Sequence, residues 1–393
     1  MDLTGHDPVD ITVGMREFES LWRLPKLPFT ERFGRYRRDA GLVADQELVM
    51  SELTGALRLR YQIEPSILYR EGTYAYRTTS SDKASNSTLE FVQFLDSVAG
   101  ERRFRSIVDV GGNDLTLARL LGSRAESVAV IDPVCEAIDG EVVDDIAVHG
   151  RKIEDVEMAT ECALPDLVVC RHTLEHIGSP EVVVAQLFEQ SADDCLFVFE
   201  VPDVTSLLES LRFDAIFHQH YNYFSVATLS NLIVSCGGRV VAHEVNHRGS
   251  CGGSLMIAFE KGDDPEGLRH VDCEQVATMF RRRLRLFTAQ MEAISGIIRE
   301  LPRPVYGYGA GLMLATYSYH LDTDFSNLDC ILDDDPSKDG LTYENVPVTV
   351  RCAEYVKPEP DSSYVITSLE NIRALQQRIS GLQARRCVSP PIG

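Results

Sequence analysis

No cysteine precedes Cys135, and the ten that follow, out to Cys387, never fall into a C-x-x-C pair. Single thiols at irregular spacing in a long chain read as reduced, buried residues, which excludes a disulfide framework. They also leave the first third of the chain without a thiolate metal site. No run of about 18 apolar residues occurs, so no membrane-spanning helix is expected, and MDLTGHDPVDITVG has no basic region followed by an apolar stretch to serve as a secretory signal. The expectation is a soluble, cytoplasmic protein with no membrane partner. Cations are scarce as well: 38 Lys and Arg face 60 Asp and Glu, a formal net charge of −22. Nucleic-acid affinity rests on cationic groups that displace counterions, so that balance counts against a nucleic-acid partner and leaves room only for a local basic pocket.

What is present is an ordinary globular composition, 44% apolar and 25% charged, over 393 residues, more than one core usually supports. Residues 1–95 show polar and aromatic segments without a long helical period, which reads as a small irregular or short-stranded substrate-binding lobe. Across 96–265, apolar runs (SIVDV, SVAVID, DLVVC, CLFVFEV, RVVAHEV, SLMIAFE) alternate with helical stretches, the pattern of an α/β domain with a largely parallel sheet. In 266–300, Met279, Phe280, Phe287, Met291, Ile294 and Ile298 recur at helical spacing and predict a long connecting helix. After Pro302 and Pro304, PVYGYGAG opens a second set of strand-like runs, so 301–393 reads as another Rossmann-like domain.

The run Ser106 to Asp114, SIVDVGGND, is an apolar strand that ends in glycines and leads into a helical pattern. Glycine lets the backbone turn tightly beside a ligand, and the helix that follows offers free amides. Twenty-one residues after Gly111, a second strand ends at Asp132, where a carboxylate can accept hydrogen bonds from a ribose. The full G-x-G-x-x-G of a dinucleotide site is missing, although the spacing to the acid suits either kind of nucleoside cofactor.

Taken together, VDVGGND, VIDP and RHTLEHIGSP resemble the motifs of class I S-adenosylmethionine (SAM) dependent methyltransferases over about residues 100 to 260. The resemblance implies a Rossmann-like fold with SAM as cofactor. It implies Asp109, Gly111, Gly112 and Asn113 along the methionine portion, Asp132 and Pro133 at the ribose, and His172 near the donor methyl. Glu175 and His176, on the following turn, are read as capping or packing residues.

In Phe213 to Ser225, FDAIFHQHYNYFS, two histidines flank a glutamine inside an aromatic stretch. Such surroundings can keep an imidazole neutral as a general base, while the same spacing also fits packed histidines or an incomplete metal set. With GGSL at Gly252 to Leu255, the segment resembles the nucleotide-sugar C-methyltransferases that act on deoxy sugars bearing a 4-keto group. The second glycine turn, Val305 to Gly311, extends that resemblance over most of the chain. It implies His220 as base with Gln219 and Tyr76 in catalytic support, and Tyr74, Tyr76, His218 and Tyr223 on a nucleotide-sugar acceptor.

Two departures stand out. Gln219 occupies a place where that family typically has Glu, and the family's zinc cysteines are replaced by Ser51 and Thr54 in SELTGAL, so no metal is expected. Alternatives remain: an O- or C-methyltransferase of another small metabolite, or a non-catalytic SAM-fold binding protein. Asp333 to Asp335 read as an acidic loop rather than a second nucleotide site.

Overall fold

The computed structural model describes residues 9–10, 18–30, 33–34, 36, 42–63, 65–68, 82–247 and 249–390. Its centre is an eight-stranded sheet. In spatial order the strands are Gly238–Asn246, Ser254–Lys261, Leu196–Pro202, Leu167–Arg171, Phe104–Val110, Ala125–Ile131, Ile146–His149 and Val142–Val143. The middle five run parallel, and the first two and the last pair antiparallel. RVVAHEV and SLMIAFE are thus an antiparallel edge on an otherwise parallel, Rossmann-like sheet. Helix Pro180–Glu189 buries Val183, Val184, Leu187 and Phe188 against one face, while Phe91, Phe94 and Leu95 cover the other with Phe104, Ile107 and Leu196.

Phe91, Phe94 and Leu95 belong to helix Asp82–Ala99, which crosses the boundary expected at residue 95. The helix packs against the central sheet, in one core with Phe104, Ile107 and Leu196. Its polar first turns hide the period, which shows only in Phe91, Phe94, Leu95 and Val98.

The N-terminal lobe is more regular than its sequence suggests. Strands Phe18–Pro28 and Val43–Ser51 form a long antiparallel pair, extended by Leu57–Leu59 and then by Asn222–Tyr223 from the central domain. The first pair carries register shifts between Ser20 and Trp22 and between Leu24 and Leu27. Each bulge inserts an extra residue, so buried Leu21, Leu24 and Leu27 fall three apart and the alternation of a strand is masked. Ser51 and Thr54 close a turn through hydroxyls: Ser51 Oγ accepts from Thr54 N–H at 3.2 Å and Thr54 Oγ1 from Ala56 N–H at 3.3 Å.

Helix Cys273–Arg299 begins at Asp272, whose side chain accepts from Gln275 N–H at 2.9 Å. It buries Phe280, Phe287, Met291, Ile294 and Ile298. The C-terminal domain is a five-stranded parallel sheet in the order Val350–Cys352, Cys330–Asp333, Val305–Tyr308, Ser363–Ile366, Arg386–Val388. One apolar core runs through all four parts, from Leu24 and Leu48 through Leu207 and Phe213 to Phe280, Leu314 and Val365. At the seam Arg212 holds Asp214 through two 2.9 Å bonds and reaches Glu370 at 2.7 Å. Among the described residues no helix is long and apolar enough to cross a membrane.

Candidate active site

The cofactor motifs meet at the carboxyl ends of adjacent strands, where an open α/β sheet places its ligands. Gly111 takes φ +78°, and a Cβ there would stand 1.8 Å from Thr173 Oγ1, so only glycine lets the two loops approach. Asp132 ties the turn to its neighbour: Oδ2 accepts from Asn113 N–H and Oδ1 from Val134 N–H, both at 2.8 Å. Pro133 begins the six-residue 3-10 helix Pro133–Ile138 that Asp132 caps. Behind Gly112 lies Asp109, only 1% exposed, whose Oδ2 has no hydrogen-bond partner. Burial raises its carboxyl to about 7, with Arg171 pulling down and Asp132 and Asp114 pushing up. An unpartnered buried carboxylate oxygen beside a glycine turn fits the ammonium end of SAM, and Asp132 fits its ribose.

Next to this turn, the loop after strand Leu167–Arg171 carries a chain of charges. His172, at φ +48°, sets its ring between two buried carboxylates: Nδ1 is 3.5 Å from Glu175 Oε1 and Nε2 is 3.6 Å from Glu200 Oε1. Arg171 Nε holds the other Glu200 oxygen at 2.6 Å. Burial disfavours the imidazolium, but Glu200 and Glu175 override it and raise His172 to about 9. Burial likewise opposes the Glu200 carboxylate, yet Arg171 and His172 hold it well below the usual range. His172 is therefore held as a cation at neutral pH.

The HQH segment divides between two tasks. His218 turns to the N-terminal lobe, where Nε2–H donates to the Leu27 carbonyl at 2.9 Å, Nδ1 faces Gln46 Nε2 at 3.5 Å, and Phe29 packs edge-on. Burial lowers it to about 4. His220 turns the other way, into contact with His176 at 4.8 Å between ring centroids and Phe217 at 4.3 Å, with Tyr223 at 6.3 Å. Burial first, then His176 and His172, push His220 well below the ordinary histidine range. Gln219 contributes through its carbonyl, which accepts from His176 Nδ1–H at 2.8 Å. Burial raises the Tyr223 phenol well above its usual value, so it stays protonated. Tyr74 and Tyr76 lie outside the described residues.

Glu175 and His176 thus lie against His172 and His220, respectively. The sequence motifs do not single out Arg171 or Glu200, and they do not place Glu175 and His176 beside His172 and His220. The signal was available in the helical spacing of His172, Glu175 and His176 directly after the cofactor strand. Donor atoms of Glu175, His176 and His220 lie up to 4.8 Å apart, wider than the about 3.3 Å between ligands sharing one tetrahedral zinc.

Residues 83–243 match the protein family described as a methyltransferase domain. The C-methyltransferase NovU of Streptomyces niveus is 28% identical over 280 residues, covering 67% of this chain and 66% of that protein's length. The chain is also similar to the N-methyltransferase NodS of Bradyrhizobium japonicum, solved with S-adenosyl-L-homocysteine (TM-score 0.37, 13% identity, 47% of this chain and 91% of that one). Magnesium protoporphyrin IX methyltransferase of Synechocystis gives TM-score 0.36 at 12% identity, over 46% and 86% of the two chains. Residues 83–243 thus match a methyltransferase domain, set on the Rossmann-like central sheet.

Proposed function

We propose that the chain is a C-methyltransferase of a nucleotide-linked keto deoxy sugar, with His220 removing a proton from the carbon beside the ketone. The observation that carries this reading is His220 itself: a buried imidazole, held neutral at physiological pH, close to the loop that follows the cofactor strand. The similarity to a C-methyltransferase supports carbon as the acceptor atom. A ketone makes the adjacent C–H acidic enough for an imidazole to take its proton, while the C–H electron pair delocalises onto the carbonyl oxygen. When bound, SAM supplies the electrophilic methyl group that the resulting enolate carbon takes up. Asp109, Gly111, Gly112, Asn113, Asp132 and Pro133 hold the cofactor, and the His172 cation adds a positive field where negative charge develops. Tyr223 stands beside the base as a phenolic donor, and Tyr74 and Tyr76 are assigned to the sugar. His218 secures the segment to the lobe.

The test is solvent deuterium exchange and methyl transfer on nucleoside diphosphate 4-keto-deoxyhexoses. Wild type should do both, and His220→Ala should bind SAM normally while turning over roughly a hundredfold more slowly or worse, the scale of a lost general base. Exchange and methylation by His220→Ala at wild-type rates would remove His220 from the role and make a neighbouring tyrosine the candidate.

A further inference from the structure

A base that accepts a proton in a buried site becomes a buried cation, which is costly without a counter-charge. Gln219 cannot provide one, and its carbonyl is already engaged by His176. Glu175 stands where a carboxylate is needed. It is 1% exposed, neither carboxylate oxygen has a hydrogen-bond partner, and Oε1 lies 4.0 Å from His176 Nε2. A carboxylate oxygen is also within 4.8 Å of a ring nitrogen of His220. The backbone fixes this placement, because Tyr221 N–H donates to the Glu175 carbonyl at 2.7 Å and so pins the base segment to the cofactor loop.

We propose that Glu175 is the positioning carboxylate of the His176 and His220 pair, the buried counter-charge that Gln219 does not supply. This rests on the reading of His220 as base. The groups that face Glu175 agree with it from every side. His172 and His176 come from its own turn, and His220 from the HQH segment. Cys170, near the end of the strand before it, is a thiol that burial first and then Glu175 push up, and Cys251, from the Gly249 to Gly253 turn, is pushed up by burial first, then Glu370, with Glu175 adding to it, so both stay uncharged. Glu200, beyond His172, is matched by Arg171. With Arg171 and His172 positive and Glu175 and Glu200 negative, the cluster is neutral before the base takes its proton. Removing Glu175 would leave Glu200 to balance Arg171, His172 and a protonated His220.

The experiment is the pH profile of kcat/KM on the nucleotide keto sugar for wild type, Glu175→Gln, Glu175→Asp and Glu175→Gln with Gln219→Glu. SAM binding by calorimetry is the check on folding. In Glu175→Gln, kcat should fall about tenfold or more with acceptor KM little changed, and the acid limb should move down by about one pH unit, because a less supported imidazolium has a lower pKa. Gln219→Glu in that background should restore part of both. Glu175→Asp, one methylene shorter, should fall between the two, and it carries the test if Glu175→Gln fails to bind SAM. An acid limb at the wild-type position in both single variants would overturn the proposal while His220→Ala still reports on the base. Wild-type rates in His220→Ala, or no turnover of any keto sugar nucleotide by wild type, would overturn both.

Discussion

In the central domain, strand Phe104–Val110 runs into Gly111 and the next strand leads to Asp132. In the C-terminal domain, strand Val305–Tyr308 runs into Gly309 and the next strand ends at Asp333. The two acids make the same pair of backbone contacts. Asp132 accepts from Asn113 and Val134, Asp333 from Ala310 at 2.7 Å and Asp335 at 3.0 Å, one partner in the glycine turn and one two residues beyond the acid. The surroundings then diverge. Lys338 Nζ lies 3.2 Å from both Asp333 oxygens and from the Ala310 carbonyl, and a Cβ on Gly309 would meet Ser368 and Leu375 within 2.8 Å. Two residues before its glycine, the central turn has buried Asp109 where the C-terminal turn has Gly307. The same fold element thus holds a turn together in both places. What the central turn has in addition is a polar group left over, the unpartnered oxygen of Asp109, which the proposed function assigns to the cofactor. The acidic run at Asp333 is not a freely solvated loop either, since Asp334 takes the Tyr308 hydroxyl at 2.8 Å and Arg378 at 3.2 Å, and Asp335 caps the next turn.

The largest effect expected from this contrast is on cofactor affinity. Asp132→Ala should weaken SAM binding by about 1 to 3 kcal/mol, through lost ribose hydrogen bonds and a loosened Asn113 amide. Asp333→Ala should lower thermal stability and leave SAM affinity within about twofold, since the groups it holds, the Ala310 and Asp335 amides and Lys338, all belong to the C-terminal domain. Calorimetry on the two variants decides, and equal losses of affinity would break the comparison.

A smaller effect separates the turns by pH. Asp109 titrates at about 7 without cofactor because burial disfavours its charge. The SAM ammonium would favour the ionised carboxylate and lower that pKa, so binding below pH 7 must expel a proton. Affinity should therefore rise with pH, by up to about tenfold per unit between pH 5 and 7, and level off above. Asp109→Asn should flatten the profile. A wild-type affinity independent of pH over that range would remove Asp109 from the cofactor site.

The sequence reveals these turns well and the proton cluster poorly, for a physical reason. Glycine, a flanking apolar strand and an acid at fixed distance form a local pattern, so Gly111, Asp132 and the parallel sheet can be read directly. The cluster is assembled from separate loops: His172 and Glu175 after one strand, Glu200 inside another, His220 more than forty residues after His176. Only the fold shows that His218 and His220, two residues apart, face different domains. The lobe's long strands were hidden by bulges that move Leu21, Leu24 and Leu27 to a spacing of three.

The smallest effect concerns Lys338, the residue that most sharply divides the two turns. Its ammonium is about a quarter exposed and touches three oxygens, so Lys338→Met should cost about 1 kcal/mol, the upper range for a partly exposed ion pair. In differential scanning calorimetry that corresponds to a fall of about 2 to 4 °C in the transition of a domain of ordinary size. SAM affinity should not change, because the central turn keeps Asp109 and Asp132 intact. If the loss of Lys338 instead gave the protein a second SAM equivalent per chain, the C-terminal turn would be a nucleoside site held shut by one lysine. The difference between the two domains would then lie in that single ion pair and not in the missing buried acid at Gly307. A single equivalent in both proteins, with only the thermal transition moved, leaves Asp109 as the feature that makes the central turn a cofactor site.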